Sequence, residues 1–365
     1  MKDHIKIIVI GGGPAGAVMA IELARDNMEV IVLEASSIPR QKPGECLPPN
    51  ITPLLQKLKL EHLLEKHKLS YGNEAVWGSE QIREENFIFG IHGEGTHIDR
   101  VEFEKDLALE AKKEGVVWLY DHSVKKSVRA DHQWNLEVDH QNTKKVFTAD
   151  FVVDASGRKA VFGRHVGVKR IPTDKLVGIS AIYSGRQNLN ASTLIESTPH
   201  GWWYSASLPD NKLVVTFMTD SDLISPLNAN QVKGWITLLE NTTHTIKRVK
   251  GDRSLEIDSS TLKLDVNSAC SSRLETITGS GWLAIGDAAC TFDPLSSYGI
   301  TAAMGTAYYG SCSIKDHFKG KKESFLAYNY LMDKMYHTYS PLVVEAYCQE
   351  NRWKNETFWK RRTDR

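Results

Sequence analysis

The sequence predicts an α/β protein: a parallel-sheet domain interrupted by an inserted antiparallel β domain and closed by C-terminal helices. Three observations carry this. The chain opens as strand, glycine-rich turn, helix and strand. Residues 175–264 alternate between apolar and polar, the texture of an antiparallel sheet. The near-continuous apolar texture of a doubly covered strand then returns at residues 282–287. A domain that is left and re-entered in this way is discontinuous.

The elements follow in order. Residues 5–10 are an almost unbroken apolar run. Residues 11–16 make the turn, 17–25 a helix of small and apolar side chains, and 29–33 a second strand ending at Glu34. A loop rich in Pro, Gly and Ser spans 36–53, and helical periodicity covers 54–66. Residues 71–98 read as short strands and turns, and 103–113 as a helix stopped near Gly115. Strands are expected at 116–120, 123–129, 134–140 and 145–148, the last three as a meander, with another buried strand at 151–154. In the inserted region strands are expected at 177–183, 202–208, 213–219 and 254–264, and a helix at 228–240. Helices follow at 299–318 and 323–350. The expected division is residues 1–70, 99–174 and 275–330 in the first domain, 71–98 and 175–274 in the insertion, and 331–365 as a helical tail.

Composition narrows the function. The chain has 365 residues, with 45 Lys and Arg against 45 Asp and Glu, so bulk positive charge does not drive it to nucleic acid or to anionic membrane. No apolar run approaches the ~18 residues of a membrane span, and the start has no signal-peptide pattern. The five Cys show no CxxC spacing, and the His residues show no HxxxH, so no metal site is expected. Reduced thiols and a cytoplasmic location are the expectation.

Gly11-Gly12-Gly13-Pro14-Ala15-Gly16 carries the first chemistry. It is GxGxxG between a buried strand and a helix. Gly11, Gly13 and Gly16 allow a tight turn and let backbone amides approach a pyrophosphate, with Pro14 and Ala15 opening the helix. Glu34 stands where an acid accepts from a ribose 2′-OH, which favours FAD or NAD over a 2′-phosphorylated cofactor. There is no second GxGxxG, so no dedicated nicotinamide domain is expected.

Later motifs select FAD. Gly286-Asp287-Ala288-Ala289, with Asp293-Pro294-Leu295 and Gly299-Ile300, resembles the C-terminal fingerprint of flavoprotein monooxygenases. The resemblance implies a Rossmann-like FAD domain of the class A monooxygenase type. It puts Asp287 on the ribityl chain, and Pro294, Gly299 and Ile300 at a helix N-terminus facing the flavin pyrimidine. Asp154-Ala155-Ser156-Gly157-Arg158 resembles that family's middle motif, so Asp154 and Gly157 are expected near the cofactor. Arg100 matches the arginine that opens a helix beside FAD. Ala35, next to Glu34, and Val124 complete the cofactor-binding positions that the resemblance implies.

Pro43-Gly44-Glu45-Cys46-Leu47-Pro48-Pro49 is similar to the Gly-Glu loop of the flavin-dependent halogenase and geranylgeranyl-reductase branch. That places Glu45 and Cys46 by the flavin ring. Glu45 is the candidate catalytic residue, for proton transfer or for anchoring the loop. Cys46 is either a partner for a mixed disulfide or a small buried thiol. Gly201-Trp202-Trp203-Tyr204 stands in the place of the halogenase Trp-x-Trp-x-Ile-Pro motif without matching it, and Lys68 is the nearest candidate for the halogenase lysine, in surroundings that differ. Trp202 and Trp203 face opposite sides of one strand, one toward the core and one toward a substrate pocket. Tyr298 replaces the commoner small residue and is expected to narrow access to the ring.

With the segment from Arg352 to Arg362, these features resemble the maturation flavoproteins of cysteine-tryptophylquinone lysine and glycine oxidases. The resemblance implies hydroxylation of a Trp in the precursor of a quinone-bearing amino-acid oxidase, using O2 and NAD(P)H or another external reductant. Trp353, Phe358 and Trp359 are read as packing of the last helix or as a docking surface. Three other readings stay open: a hydroxylase or halogenase of a small or carrier-bound aromatic, a reductase of prenyl double bonds, and an FAD-holding chaperone of an oxidase.

Overall fold

The computed structural model describes residues 5–185, 190–251 and 262–363. Its organising element is a six-stranded sheet in the order Thr278–Gly279, Trp282–Ala284, Phe151–Asp154, Lys6–Ile10, Glu29–Leu33, Val117–Leu119. All neighbours are parallel except the terminal hairpin Thr278–Gly279/Trp282–Ala284. Ile7, Ile8 and Val9 are fully buried: helix Pro14–Ala24 packs against this strand, and so does the strand Thr143–Ala149 of a β-meander. Helix Pro14–Ala24 packs on helix Gly299–Phe318. The approach is close: a Cβ at Gly310 would lie 3.0 Å from the Met19 Cε and 3.1 Å from Ile285 Cγ2.

The meander forms from Ser123–Ala130, Gln133–His140 and Thr143–Ala149. Its two-residue turns, Asp131-His132 and Gln141-Asn142, all have positive φ, as tight hairpins between twisted strands require.

The inserted region builds a seven-stranded sheet in the order Asp265–Ser268, Leu176–Tyr183, Lys212–Asp220, Gly201–Leu208, Thr193–Thr198, Gly72–Val76, Arg83–Asn86. Of residues 71–98, the first two strands join this sheet. Gly95–His97 instead pairs with Cys46–Leu47 and Lys68–Ser70. Helix Val232–Glu240 covers the outer face, and its Trp235 Nε1 donates to Ile179 O at 3.1 Å. Helices Ser324–Cys348 and Thr357–Thr363 close the molecule, with Trp359 Nε1 donating to Thr198 O at 2.8 Å.

Several elements differ from expectation. The helix expected over 54–66 is Thr52–Leu58, because Lys59 turns left-handed (φ 57°) and only a 3₁₀ turn, Glu61–Leu64, follows. The helix expected from 228 begins at Val232, since Asn228 is also left-handed (φ 50°) and caps the short helix before it. Most of the strand expected at 254–264 lies outside the described residues; residues 262–264 are not strand, and a strand begins just after them, at Asp265–Ser268.

Candidate functional site

The glycine turn separates into two physical roles. Gly11 has φ +105°, and a Cβ on it would stand 2.4 Å from Ala155 O. A Cβ on Gly16 would stand 2.0 Å from Gly11 O. These two glycines are required by the protein's own packing. A Cβ on Gly13 meets no atom within 4 Å, so its lack of a side chain matters to something other than the protein. Gly13 is the extended N-cap of a helix with Pro14 in its first turn, and that helix end presents free amides.

Glu34 ends the second strand below this turn. Its Oε2 accepts from Gly12 N at 2.7 Å and its Oε1 from Ser36 N at 2.8 Å. Two amides hold the carboxylate and leave lone pairs for a ribose hydroxyl. Gly12, Glu34, Ser36, Lys42, Glu104 and Tyr120 border one cleft. Ala35 is exposed beside Glu34; Val124 is buried on the first meander strand, two residues past His122, whose N–H donates to Glu34 O.

Arg100 links that cleft to the Gly-Glu loop. Asp99 caps helix Arg100–Lys113 by accepting from Val101 N and Glu102 N. The buried Arg100 guanidinium donates from Nη2 to Glu104 Oε1 (2.5 Å) and from Nη1 to Pro43 O (2.5 Å) and Gly44 O (3.4 Å). Its Nε is buried without a partner, a donor left for a ligand. Gly44 has φ +102°; a Cβ there would lie 2.8 Å from Arg100 Nη1 and 3.5 Å from Ile300 Cδ1. The loop, the Arg100 helix and the start of helix Gly299–Phe318 therefore meet at one point.

Glu45 is buried, and burial raises its carboxyl above the usual range, while backbone amides and Arg100 act the other way. Its carbonyl accepts from Ile98 N at 2.7 Å. Burial, with the Glu45 charge adding, pushes the Cys46 thiol up to about 12. A thiol held protonated is a poor nucleophile, which favours the plain-thiol reading of the partly exposed Cys46 over the mixed disulfide. All five cysteines are free.

The other motif residues converge on the same region. Asp154 spends its oxygens inside its own loop, accepting from Ser156 N, Ser156 Oγ and Gly163 N. Gly157 follows at φ +67°, and a Cβ on it would meet no atom within 4 Å. Asp287 Oδ2 lies 3.6 Å from Arg158 Nε. Desolvation raises the Asp287 carboxyl, with Arg158, Arg170 and Arg100 opposing. Arg170 Nη2 donates to the carbonyls of Asp287 (2.7 Å) and Ala288 (2.6 Å) and fixes the strand-to-turn junction. Gly286 (φ +55°) lets that junction approach Ala15, whose Cβ would be 2.9 Å from a new one. Asp293 caps the Pro294–Ser296 turn by accepting from Leu295 N, and Tyr347 OH donates to its Oδ2 at 2.9 Å. Burial pushes this carboxyl up to about 6. Gly299, at the mouth of the next helix, again has no atom within 4 Å of a Cβ, and Ile300 is buried. A cradle open at Gly13, Gly157 and Gly299, with an orphan Arg100 donor, fits an extended dinucleotide.

The substrate-side expectations need correction. Trp202 and Trp203 are both fully buried. Trp202 Nε1 donates to Tyr347 OH, and its ring packs edge-on to Trp77. Trp203 stacks on Phe217 and meets Trp235 edge-on. Each fills an aromatic core on its own face of the sheet, so neither borders an open pocket. Tyr298 leans edge-on to Phe292, with its hydroxyl directed to Met335 Sδ, toward the C-terminal helix. Phe358 and Trp359 are fully buried, so these two pack rather than dock.

Sequence reasoning missed a cluster beside Glu45. His97, the register partner of both Cys46 and Lys68, is fully buried with Nδ1 3.3 Å from Ser207 Oγ and Nε2 without a partner. Burial pushes its imidazole down to about 4, with Lys68 and Arg248 adding. Burial also lowers the Lys68 ammonium. Burial raises the Tyr204 phenol, with Glu45 and Cys46 adding and Arg248 opposing. Arg248 pairs with Glu74 at 3.0 Å. Five separate segments supply these groups, so no spacing announces them. Among the described residues no group of His, Cys, Asp and Glu is arranged to hold a metal ion, and no helix is long and apolar enough to cross a membrane.

Comparison with known proteins gives the same cofactor. A family model described as FAD binding domain matches residues 4–333. LodB of Marinomonas mediterranea, named as a putative FAD-dependent oxidoreductase, is 31% identical over 97% of this chain and 96% of its own. The curated relatives that follow are flavin-dependent halogenases, among them the tryptophan 2-halogenase of Chondromyces crocatus, 24% identical over 98% of this chain and 70% of its own. Among solved structures, the peptidyl tryptophan dihydroxylase QhpG, essential for tryptophylquinone cofactor biogenesis, superposes with a TM-score of 0.80 at 22% identity, covering 98% of this chain and 78% of that one. At that identity the likeness speaks for the fold.

Proposed function

The chain belongs to the FAD binding domain family, and from that premise we propose that this FAD-dependent oxidoreductase uses O2 to hydroxylate or halogenate an electron-rich aromatic ring. The carrying observation is the convergence of the Gly13, Gly44, Arg100, Asp287 and Gly299 segments on one cradle with its side-chain-free openings. Bound FAD, once reduced by NAD(P)H or another external reductant, supplies the electrons that activate O2.

The chain's own residues do the rest. Backbone amides at the Gly13 helix end hold the pyrophosphate, and Glu34 holds a ribose. Arg100 fixes the Gly-Glu loop through Pro43 and Gly44. Glu45, buried with a raised carboxyl, holds or releases a proton beside the ring.

The halogenase relatives support a small or carrier-bound aromatic substrate best by their number. A second reading is hydroxylation of a Trp in the precursor of a quinone-bearing amino-acid oxidase. It is favoured by the end-to-end match to LodB, where the tryptophan 2-halogenase is spanned only to 70%, and by the likeness to a peptidyl tryptophan dihydroxylase. One experiment separates them. The FAD-loaded protein receives reductant and 18O2 with free tryptophan or a carrier-bound pyrrole, each with and without bromide, or with the precursor of a quinone-bearing amino-acid oxidase. Halogen or oxygen on the free or carrier-bound ring supports the first reading, and oxygen on a Trp of the oxidase supports the second. Flavin turnover with neither product sinks both.

A further inference from the structure

We propose that the turn carrying Ile88, Phe89 and Ile91, with the free edge of strand Arg83–Asn86, docks a protein whose apolar contact face is ringed by Lys and Arg. That protein carries the aromatic ring, so the proposal rests on the aromatic-ring reading above.

Ile88, Phe89 and Ile91 are 77%, 88% and 92% exposed, with the half-exposed Leu69 and Tyr71 nearby. A contiguous apolar surface of this kind on a soluble fold marks an interaction site. The turn is not frayed. Phe87 alone points inward, against Gly95; its N–H donates to Tyr71 O at 2.8 Å, and Gly90 N donates to Phe87 O at 2.8 Å. The structure thus anchors the turn through Phe87 and still presents three large apolar side chains to solvent.

The adjoining strand is the last of the seven-stranded sheet and is exposed along its whole length. Its outer amides and carbonyls are a template for a further strand. The charge around it is one-sided. Glu80, Glu84, Glu85 and Glu94 are all exposed, against Arg83, in a chain whose formal net charge is zero. Among the described residues none of Glu80, Glu84, Glu94 and Arg83 has an ion-pair partner. This excess of acid selects the occupant. A second copy would set acid against acid, and nucleic acid or an anionic membrane would be repelled. A basic-rimmed protein is attracted and steered.

Position gives the surface its purpose. The turn leads directly into Gly95–His97, whose His97 pairs in register with Cys46 of the Gly-Glu loop. A protein seated on the turn therefore sits beside the cradle, within reach of the site.

The test uses the FAD-loaded full chain and two fluorescent peptides with a central Trp and flanking Leu, one with Lys at its remaining positions and one with Glu. The Lys peptide is expected to bind at least about tenfold tighter, with an affinity that falls as salt rises. F89S/I91S, which removes the apolar side chains without adding charge, is expected to weaken it by about tenfold or more, and E84K/E94K to reverse the preference between peptides. Equal binding of the two peptides, unchanged binding by F89S/I91S, or sedimentation showing self-association that F89S/I91S abolishes would each overturn the proposal. FAD content is read on the same variants, and oxidation of the peptide's Trp and of free tryptophan on the wild type. FAD content stays at the wild-type level if the surface only docks; if the wild type oxidises neither the peptide-borne nor the free ring while peptide selectivity holds, the functional reading falls and the docking surface stands.

Discussion

The Arg100 guanidinium reaches across the cleft to the Pro43 carbonyl, 2.5 Å from Nη1, and so a helix of the FAD domain holds the loop that would lie along the flavin. The same group binds Glu104 through its other nitrogen, and the point charge of a lysine could not hold both partners at once. Arg100→Ala removes charged hydrogen bonds of about 1.5–3 kcal/mol each. FAD affinity, measured by flavin fluorescence titration of the apoprotein, is expected to fall by about tenfold to a hundredfold, and Arg100→Lys to recover little of it.

Two glycines of one turn fail differently. Gly13→Val is expected to fold with a thermal midpoint close to wild type, since a Cβ there meets no protein atom, yet to purify without flavin absorbance. Gly11→Ala is expected to lose stability outright, because its Cβ would stand 2.4 Å from Ala155 O at a φ of +105°. Melting curves and absorbance spectra of the two variants check this; a yellow Gly13→Val protein removes the cradle assignment.

His97 and Asp293 pull the pH dependence of stability in opposite directions. His97 drops from its ordinary 6.5 to about 4, so its neutral form is favoured; that stability is present above pH 6.5 and is lost as pH falls through 4, by about 3 kcal/mol. Asp293 rises from 3.8 to about 6, so its contribution is full below pH 3.8 and is lost as pH rises through 6, by a similar amount. Urea midpoints between pH 4 and 7 are expected to flatten or reverse in slope in opposite senses: His97→Gln gains relative stability in acid, and Asp293→Asn gains it near neutrality.

Trp359 fills a closed aromatic core with Trp77, Tyr347 and Phe358. Trp359→Ala is expected to cost about 3–5 kcal/mol in chemical denaturation. Trp353, only partly buried at the rim of the same cluster, is expected to lose less on substitution by Ala.

Thiol labelling separates Cys46 from Cys348. Cys348 is exposed and is expected to react with iodoacetamide at pH 8 within minutes. Cys46, its thiol held near 12, is expected to stay unlabelled until the protein unfolds.

The cofactor cradle is legible in the sequence because its constraints are local. Gly11 and Gly16 must be glycine for steric reasons that short spacing reveals, and the Asp131-His132 turn of the meander lies between two strongly alternating strands. Helix ends are less legible where a non-glycine turns left-handed: nothing in a Lys or an Asn at 59 or 228 announces φ near +50°. The substrate side is least legible. Trp202 and Trp203 read as one core and one pocket residue, whereas Tyr347 and Trp359, far along the chain, pack with Trp202 in a closed core, and Trp203 fills another. The His97 group depends on strand pairings between distant segments, which no window of sequence contains.

The strand Lys6–Ile10 lies between Glu29–Leu33 and Phe151–Asp154, and the latter in turn needs Trp282–Ala284. A ribosome must therefore deliver most of the polypeptide before the earliest-made turn acquires its neighbours. Until then the most apolar segments of the protein are exposed and prone to wrong association. The FAD cradle can therefore close only after these distant strands have paired, and FAD present during folding favours the completed sheet by mass action.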